Sequence, residues 1–196
     1  MLFRSVIAIN GSPRPGGNTQ FALTQVKNVL QEEGISCEII QVGGKHIRGC
    51  MNCKQCVVQK NEQCALAQDD VNDILQQMKQ ADGIIIAAPV YYSGIAGTMK
   101  CLLDRVFTVS DANDNLFRHK IGAALVAVRR TGGTMTLNGL NQYLQTAEMI
   151  IPSSKDWNII YGRQVGDAEH DTEGIQVMQT LGRNMANAMK LIHHKS

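Results

Sequence analysis

The run Asp82-Gly-Ile-Ile-Ile-Ala-Ala88 ends in five consecutive apolar residues, with none of the polar alternation of a strand that has one wet face. Such a strand must be covered on both sides, which is the condition of a parallel sheet layered with helices. Ser5 to Asn10 and Ile121 to Val128 repeat the pattern, Cys37 to Val42 looks like a second strand, and Met149 to Ile151, with a further stretch at Trp157 to Ile160, supplies a fifth. Between these runs apolar residues recur at helical spacing. Thr19 to Glu33 aligns Phe21, Leu23, Val26, Val29 and Leu30, and Asp69 to Gln80 aligns Val71, Ile74, Leu75 and Met78. Met99 to Val106, Leu137 to Glu148 and Thr172 to Ile192 complete five helices. Five strands alternating with five helices imply right-handed crossovers and a doubly wound α/β sheet with helices on both faces.

The 196 residues, 44% hydrophobic and 18% charged, suit one domain, 1–196, whose only surplus is an insertion at about 43–68. Nineteen basic against seventeen acidic residues leave a scattered charge of +2, which argues against nucleic-acid and membrane-surface partners. No apolar stretch approaches the roughly 18 residues of a bilayer span, and Met1 to Asn10 reads as a strand rather than a signal peptide. A cytoplasmic protein is expected.

In a doubly wound sheet ligands bind beyond the carboxyl ends of the strands, so the loops there carry the functional reading. Gly11-Ser-Pro-Arg-Pro-Gly-Gly-Asn-Thr19 joins the first strand to a helix. Its glycines let backbone N–H groups converge, the helix start adds a positive dipole end, and Ser12, Asn18, Thr19 and Arg14 add donors and charge. The spacing is neither the dinucleotide Gly-x-Gly-x-x-Gly nor a P-loop, which points to a phosphomonoester held without Mg²⁺. A plain Gly/Pro turn with a helix cap is the alternative.

Gly-Ser-Pro-Arg-x-x-Gly-Asn-Thr resembles the phosphate loop of the NAD(P)H-dependent FMN reductase family, whose members are flavodoxin-like and bind FMN. The resemblance implies that Ser12, Arg14, Asn18 and Thr19, with backbone N–H groups of Gly16 and Gly17, surround the phosphate. It extends to Pro89-Val-Tyr-Tyr-Ser-Gly94 after the third strand, similar to the loop whose backbone and aromatic side chains line the isoalloxazine, hence Pro89, Val90, Tyr91, Tyr92, Ser93 and Gly94. After the fourth strand, Arg129-Arg-Thr-Gly-Gly-Thr134 is a Gly-rich turn before a helix. In the resembled family this turn meets the pyrimidine edge of the flavin, which assigns Thr131, Gly132 and Gly133. Arg129 and Arg130 either attract a phosphate-bearing electron donor or are simply solvated.

Four of the six cysteines form Cys50-x2-Cys53-x2-Cys56-x7-Cys64. Thiolates with two residues between them reach separate irons of one 4Fe-4S cluster, and a fourth a short loop later completes it. Zinc, a thiol/disulfide role and no cofactor stay open on spacing alone. The motif resembles that of the iron-sulfur flavoproteins, a branch of the same family. Cys37, in a strand, and Cys101, on a helix, read as small apolar residues. No Ser-His-Asp order or paired-carboxylate constellation stands out, so no catalytic acid or base is assigned; Asp171 or Thr172 reads as a helix cap.

The expected protein is an FMN-dependent oxidoreductase passing electrons between a 4Fe-4S cluster and FMN. The alternatives are a cluster-free NAD(P)H:FMN, quinone or azo reductase, and a non-catalytic electron carrier or redox sensor. NAD(P)H or ferredoxin is the expected donor, a small molecule the expected acceptor, and the resemblance implies a homodimer or homotetramer.

Overall fold

The computed structural model describes residues 4–66 and 68–193. Its parallel sheet runs in the order β2 (Ser36–Gln41), β1 (Ser5–Asn10), β3 (Gly83–Tyr91), β5 (Ile121–Val128), β6 (Ile159–Tyr161), and a two-residue strand β4 (Gly94–Ile95) returns antiparallel on β3. Helix α1 (Asn18–Glu32) and α6 (Thr172–His193) cover one face; α3 (Val71–Gln80), α4 (Gly97–Ala112) and α5 (Gly133–Thr146) cover the other.

Burial follows the two-faced pattern of the strands. Ile84, Ile86 and Ala88 of β3 enter the α3–α4–α5 core, while Ile85 and Ala87 enter the α1–α6 core. Strand β5 divides in the same way, with Val126 and Val128 against Ala123 and Leu125. Each fully buried isoleucine contributes about 1.5–3 kcal/mol by leaving water, which is why these central strands hold no polar positions.

The fifth strand differs from expectation. Met149 to Ile151 forms only an isolated bridge, Ile150 with Ile121, and the ladder resumes at Ile159–Tyr161 opposite Val126–Val128. Pro152 has no N–H to continue a ladder, so the chain detours between the two contacts. The 43–68 insertion is also less loop-like than expected, since Gln55–Gln59 forms a short helix, α2. Asp171 does cap α6, accepting from the Gly174 N–H at 3.0 Å. No helix among the described residues is long and apolar enough to cross a membrane.

Strand β1 lies between β2 and β3, so the connection from β1 runs one way along the sheet and that from β3 toward β5 runs the other, and a crevice opens at the carboxyl ends of β1 and β3.

Candidate functional site

At that crevice the β1–α1 loop is held from behind by a buried amide network. Asn10, wholly buried at the end of β1, donates to Gln20 at 2.9 Å and Gln41 at 2.8 Å and accepts from the Ser12 N–H at 3.0 Å. Gln41 in turn donates to the Ser12 carbonyl. Ser12 Oγ accepts from the Arg14 N–H at 3.2 Å, which leaves the hydroxyl proton for a ligand. Gly17 caps α1 without any side-chain hydrogen bond, so the first N–H groups of the helix face the crevice with its positive dipole end.

A cavity of about 280 Å³ lies against this loop and is lined by Ser12, Arg14, Asn18 and Thr19 at one end and by Pro89, Val90 and Tyr91 at the other. A second cavity, about 370 Å³, adjoins it through shared Val90 and Arg129 and is lined by Tyr92, Ser93, Arg130 and Thr131. The expected glycines serve as backbone instead of cavity wall. Gly16 turns at φ +63°, Gly94 pairs with Tyr91 in the hairpin, and Gly133 packs on Ile159.

The β3–β4 connection is a two-residue hairpin turn with both central residues left-handed, Tyr92 at φ 49° and Ser93 at φ 59°. That is the backbone of a type I′ turn, which Asn-Gly usually supplies; here non-glycine residues accept about 1–2 kcal/mol each of strain. Gly132 seats directly on this turn: a Cβ there would stand 2.7 Å from Ser93 Cα. The second and third loops are thus in contact.

A wall that the sequence reading lacks comes from the loop after β6. Gly162, Arg163, Gln164 and Val165 line the first cavity, which places Arg163 in the same wall as Arg14 and Arg129. Asn18 ties this loop down, donating to the Gln164 carbonyl at 2.9 Å and accepting from the Ala168 N–H at 3.3 Å. Asp167 accepts from the Arg163 and Gln164 N–H groups at 2.9 and 2.8 Å. The Asn18 amide is therefore committed to the wall of the cavity.

The cysteine segment forms a separate site. Cys50, Cys53, Cys56 and Cys64 all line one cavity of about 110 Å³, closed on the far side by Arg105 and Val109 of α4. Cys50 and Cys53 are exposed, whereas Cys56 and Cys64 are half-buried against the core. Left-handed Asn52 (φ 53°) and Lys54 (φ 60°) flank Cys53 and turn the chain tightly around it. Among the described residues no three His, Cys, Asp or Glu side chains converge on a single-ion site.

Two helices hold the segment. Asn72 of α3 accepts from the Cys64 N–H at 2.8 Å and donates to the Cys64 carbonyl at 3.0 Å. Arg105 of α4, its side chain fully buried, pairs with Asp69, donates from Nε to Cys64 Sγ at 3.2 Å and from Nη1 to the Arg48 carbonyl at 3.2 Å, and reaches the Leu66 carbonyl. Burial works against the guanidinium charge, but the Asp69 and Cys64 contacts outweigh it and hold the pKa above its ordinary value.

The strand order β2-β1-β3-β5-β6, with loops converging on a crevice at the carboxyl ends, is the flavodoxin-like arrangement. The family model described as NADPH-dependent FMN reductase matches residues 4–164, and the chain belongs to that family of FMN-binding, flavin-dependent oxidoreductases. It is 34% identical over 194 residues to an iron-sulfur flavoprotein of Methanocaldococcus jannaschii, covering 95% of this chain and 98% of the relative. It is 29% identical over 189 residues to an iron-sulfur flavoprotein of Methanosarcina thermophila, covering 95% and 96%. Among solved structures, a flavone reductase superposes with a TM-score of 0.72 at 20% identity over 98% of this chain and 65% of its own. An archaeal flavodoxin superposes at 0.62, with 16% identity over 95% and 99%. These two likenesses concern the fold.

Proposed function

We propose that FMN lies across the two adjoining cavities, its phosphate at Ser12, Arg14, Thr19 and the α1 N-terminus and its ring over Val90, Tyr91 and the 129–132 turn. Gly16 offers its backbone N–H group to the phosphate, whereas the Gly17 N–H expected there is taken by the Arg14 carbonyl at 3.2 Å. Tyr92, Ser93 and Thr131 border the ring end. The donor set suits the group: a phosphate binds where helix N–H groups, a hydroxyl and a guanidinium converge, and a flat ring suits an apolar slot flanked by an aromatic.

The cysteine segment is proposed to hold a 4Fe-4S cluster through Cys50, Cys53, Cys56 and Cys64. The observation that carries this reading is one cavity walled by all four cysteines of the Cys50-x2-Cys53-x2-Cys56-x7-Cys64 motif. Zinc requires four thiolates about 2.3 Å from one atom, whereas a cubane gives each thiolate its own iron and spreads them. Bound FMN would supply a ring that takes up two electrons and releases them singly, and the cluster would supply one-electron exchange.

The chain's own residues then bind, orient and tune. Arg14, Arg129 and Arg163 give the crevice a cationic rim that attracts phosphate-bearing NAD(P)H or an acidic ferredoxin. Exposed Met51, Val57 and Val58 beside the cysteines suit burial against a second copy in a homodimer or homotetramer. The protein is proposed to work in the cytoplasm as an FMN-dependent electron-transfer oxidoreductase.

The test is the absorption spectrum with iron, sulfide and zinc contents of anaerobically purified protein. Flavin with about four irons and four sulfides per chain supports the reading. Flavin with one zinc, or with no metal, replaces it by the cluster-free reductase. No flavin retained after FMN addition overturns the site.

A further inference from the structure

We infer that Arg105 is the positioning residue of the cysteine segment: its guanidinium fastens the segment at Arg48, Cys64 and Leu66 and, by donating to Cys64 sulfur, raises the potential of the metal group held there. The inference rests on the cluster reading above. Arg48 and Leu66 stand two residues outside the first and last of the four cysteines, so one planar group closes both ends of the motif. Arg105 sits on α4 beside Leu102, Val106 and Val109, all apolar and buried. A guanidinium in that position suffers a desolvation cost that one carboxylate only partly offsets. Its remaining donors all point at the cysteine segment, which ties its burial to that segment.

Asp69 neutralises the charge, so the lever is the Nε–H···S contact at 3.2 Å more than net charge. Donors to cluster sulfurs favour the reduced, more negative state and lift the potential. Changing either partner therefore moves the potential in opposite senses. Removing Arg105 loses the donor and strands the Asp69 carboxylate, which favours oxidation. Neutralising Asp69 leaves the guanidinium charge uncompensated beside Cys64, which favours reduction.

The experiment uses the whole protein, purified anaerobically as wild type, Arg105→Gln and Asp69→Asn, with circular dichroism and FMN retention as the check on folding. Redox titration should show the reduction equilibrium of the metal group falling about tenfold in Arg105→Gln, about 59 mV for one electron, and rising in Asp69→Asn, with the FMN potential unmoved. Amide hydrogen exchange across 45–66 should quicken in Arg105→Gln. A potential that stays at the wild-type value in both variants overturns the tuning, and unchanged exchange overturns the fastening. If Arg105→Gln does not fold, the sign of the Asp69→Asn shift decides. A wild type without iron overturns the cluster reading instead, and exchange alone then judges the fastening.

Discussion

The side chain of Asn72 brackets the backbone of Cys64, accepting from its N–H at 2.8 Å and donating to its carbonyl at 3.0 Å. One amide on α3 thus replaces the strand partner that this stretch of chain lacks. Asn72→Ala should leave two half-buried backbone groups without partners and cost about 1–3 kcal/mol. Urea unfolding should show the loss, and iron should leave faster to a chelator while FMN stays bound. Unchanged chelation kinetics would count against Cys64 as a ligand.

Arg14 lines the first cavity, its guanidinium donating to the Arg163 carbonyl at 3.4 Å, and at the proposed phosphate end a charge-assisted hydrogen bond is worth about 1.5–3 kcal/mol. Arg14→Ala should therefore weaken FMN binding about tenfold to a hundredfold, at 1.4 kcal/mol per factor of ten. Riboflavin, which has no phosphate, should bind wild type and variant alike in the same fluorescence titration. Equal losses for both flavins would place Arg14 away from the phosphate.

Only glycine fits at 162 because Asn18 lies against it: an added Cβ would collide with the Asn18 amide and stand 2.9 Å from the Ala168 nitrogen. Gly162→Ala and Asn18→Ala should each loosen the 162–168 wall and lower FMN affinity. The double variant should lose less than the sum, since removing the amide relieves part of the clash. Strict additivity in the binding cycle would show that the two residues do not share one wall.

Burial pushes the Cys37 thiol from 9.0 up to about 11. The folded state thus disfavours the thiolate, so this contribution to stability is fully present below pH 9 and is lost as pH rises toward 11. Two pH units correspond to about 3 kcal/mol. Urea midpoints should fall across that window in the wild type and fall less in Cys37→Val. In protein stripped of metal, iodoacetamide at pH 8 should modify exposed Cys50 and Cys53 and spare Cys37.

Legibility in the sequence tracked how local each signal was. The two-faced apolar runs disclosed the sheet because burial on both sides leaves no polar position, and the Gly-rich loop disclosed one wall of the first cavity because its residues are consecutive. The Tyr92-Ser93 turn was not legible, since neither residue favours a left-handed backbone and the strain is held by Gly132 from another loop. The 162–165 wall carries no motif and reaches the crevice through the pairing of β6 with β5 and the long-range bonds of Asn18. Arg105 did leave a trace, a lone charge on the apolar stripe Leu102, Val106, Val109, but its acceptors lie 36 to 57 residues away.

Gly43, where the cysteine segment leaves β2, lies so close to Ser12 and Pro13 that a Cβ would fall 2.5 Å from the Pro13 nitrogen. Gly132 stands against Ser93 and Gly162 against Asn18 in the same manner. Each loop around the crevice is keyed to another by a bare backbone. Transplanting any one of them from a related protein would import a surface cut for a different neighbour, so an attempt to respecify this flavoprotein has to exchange its loops in matched pairs.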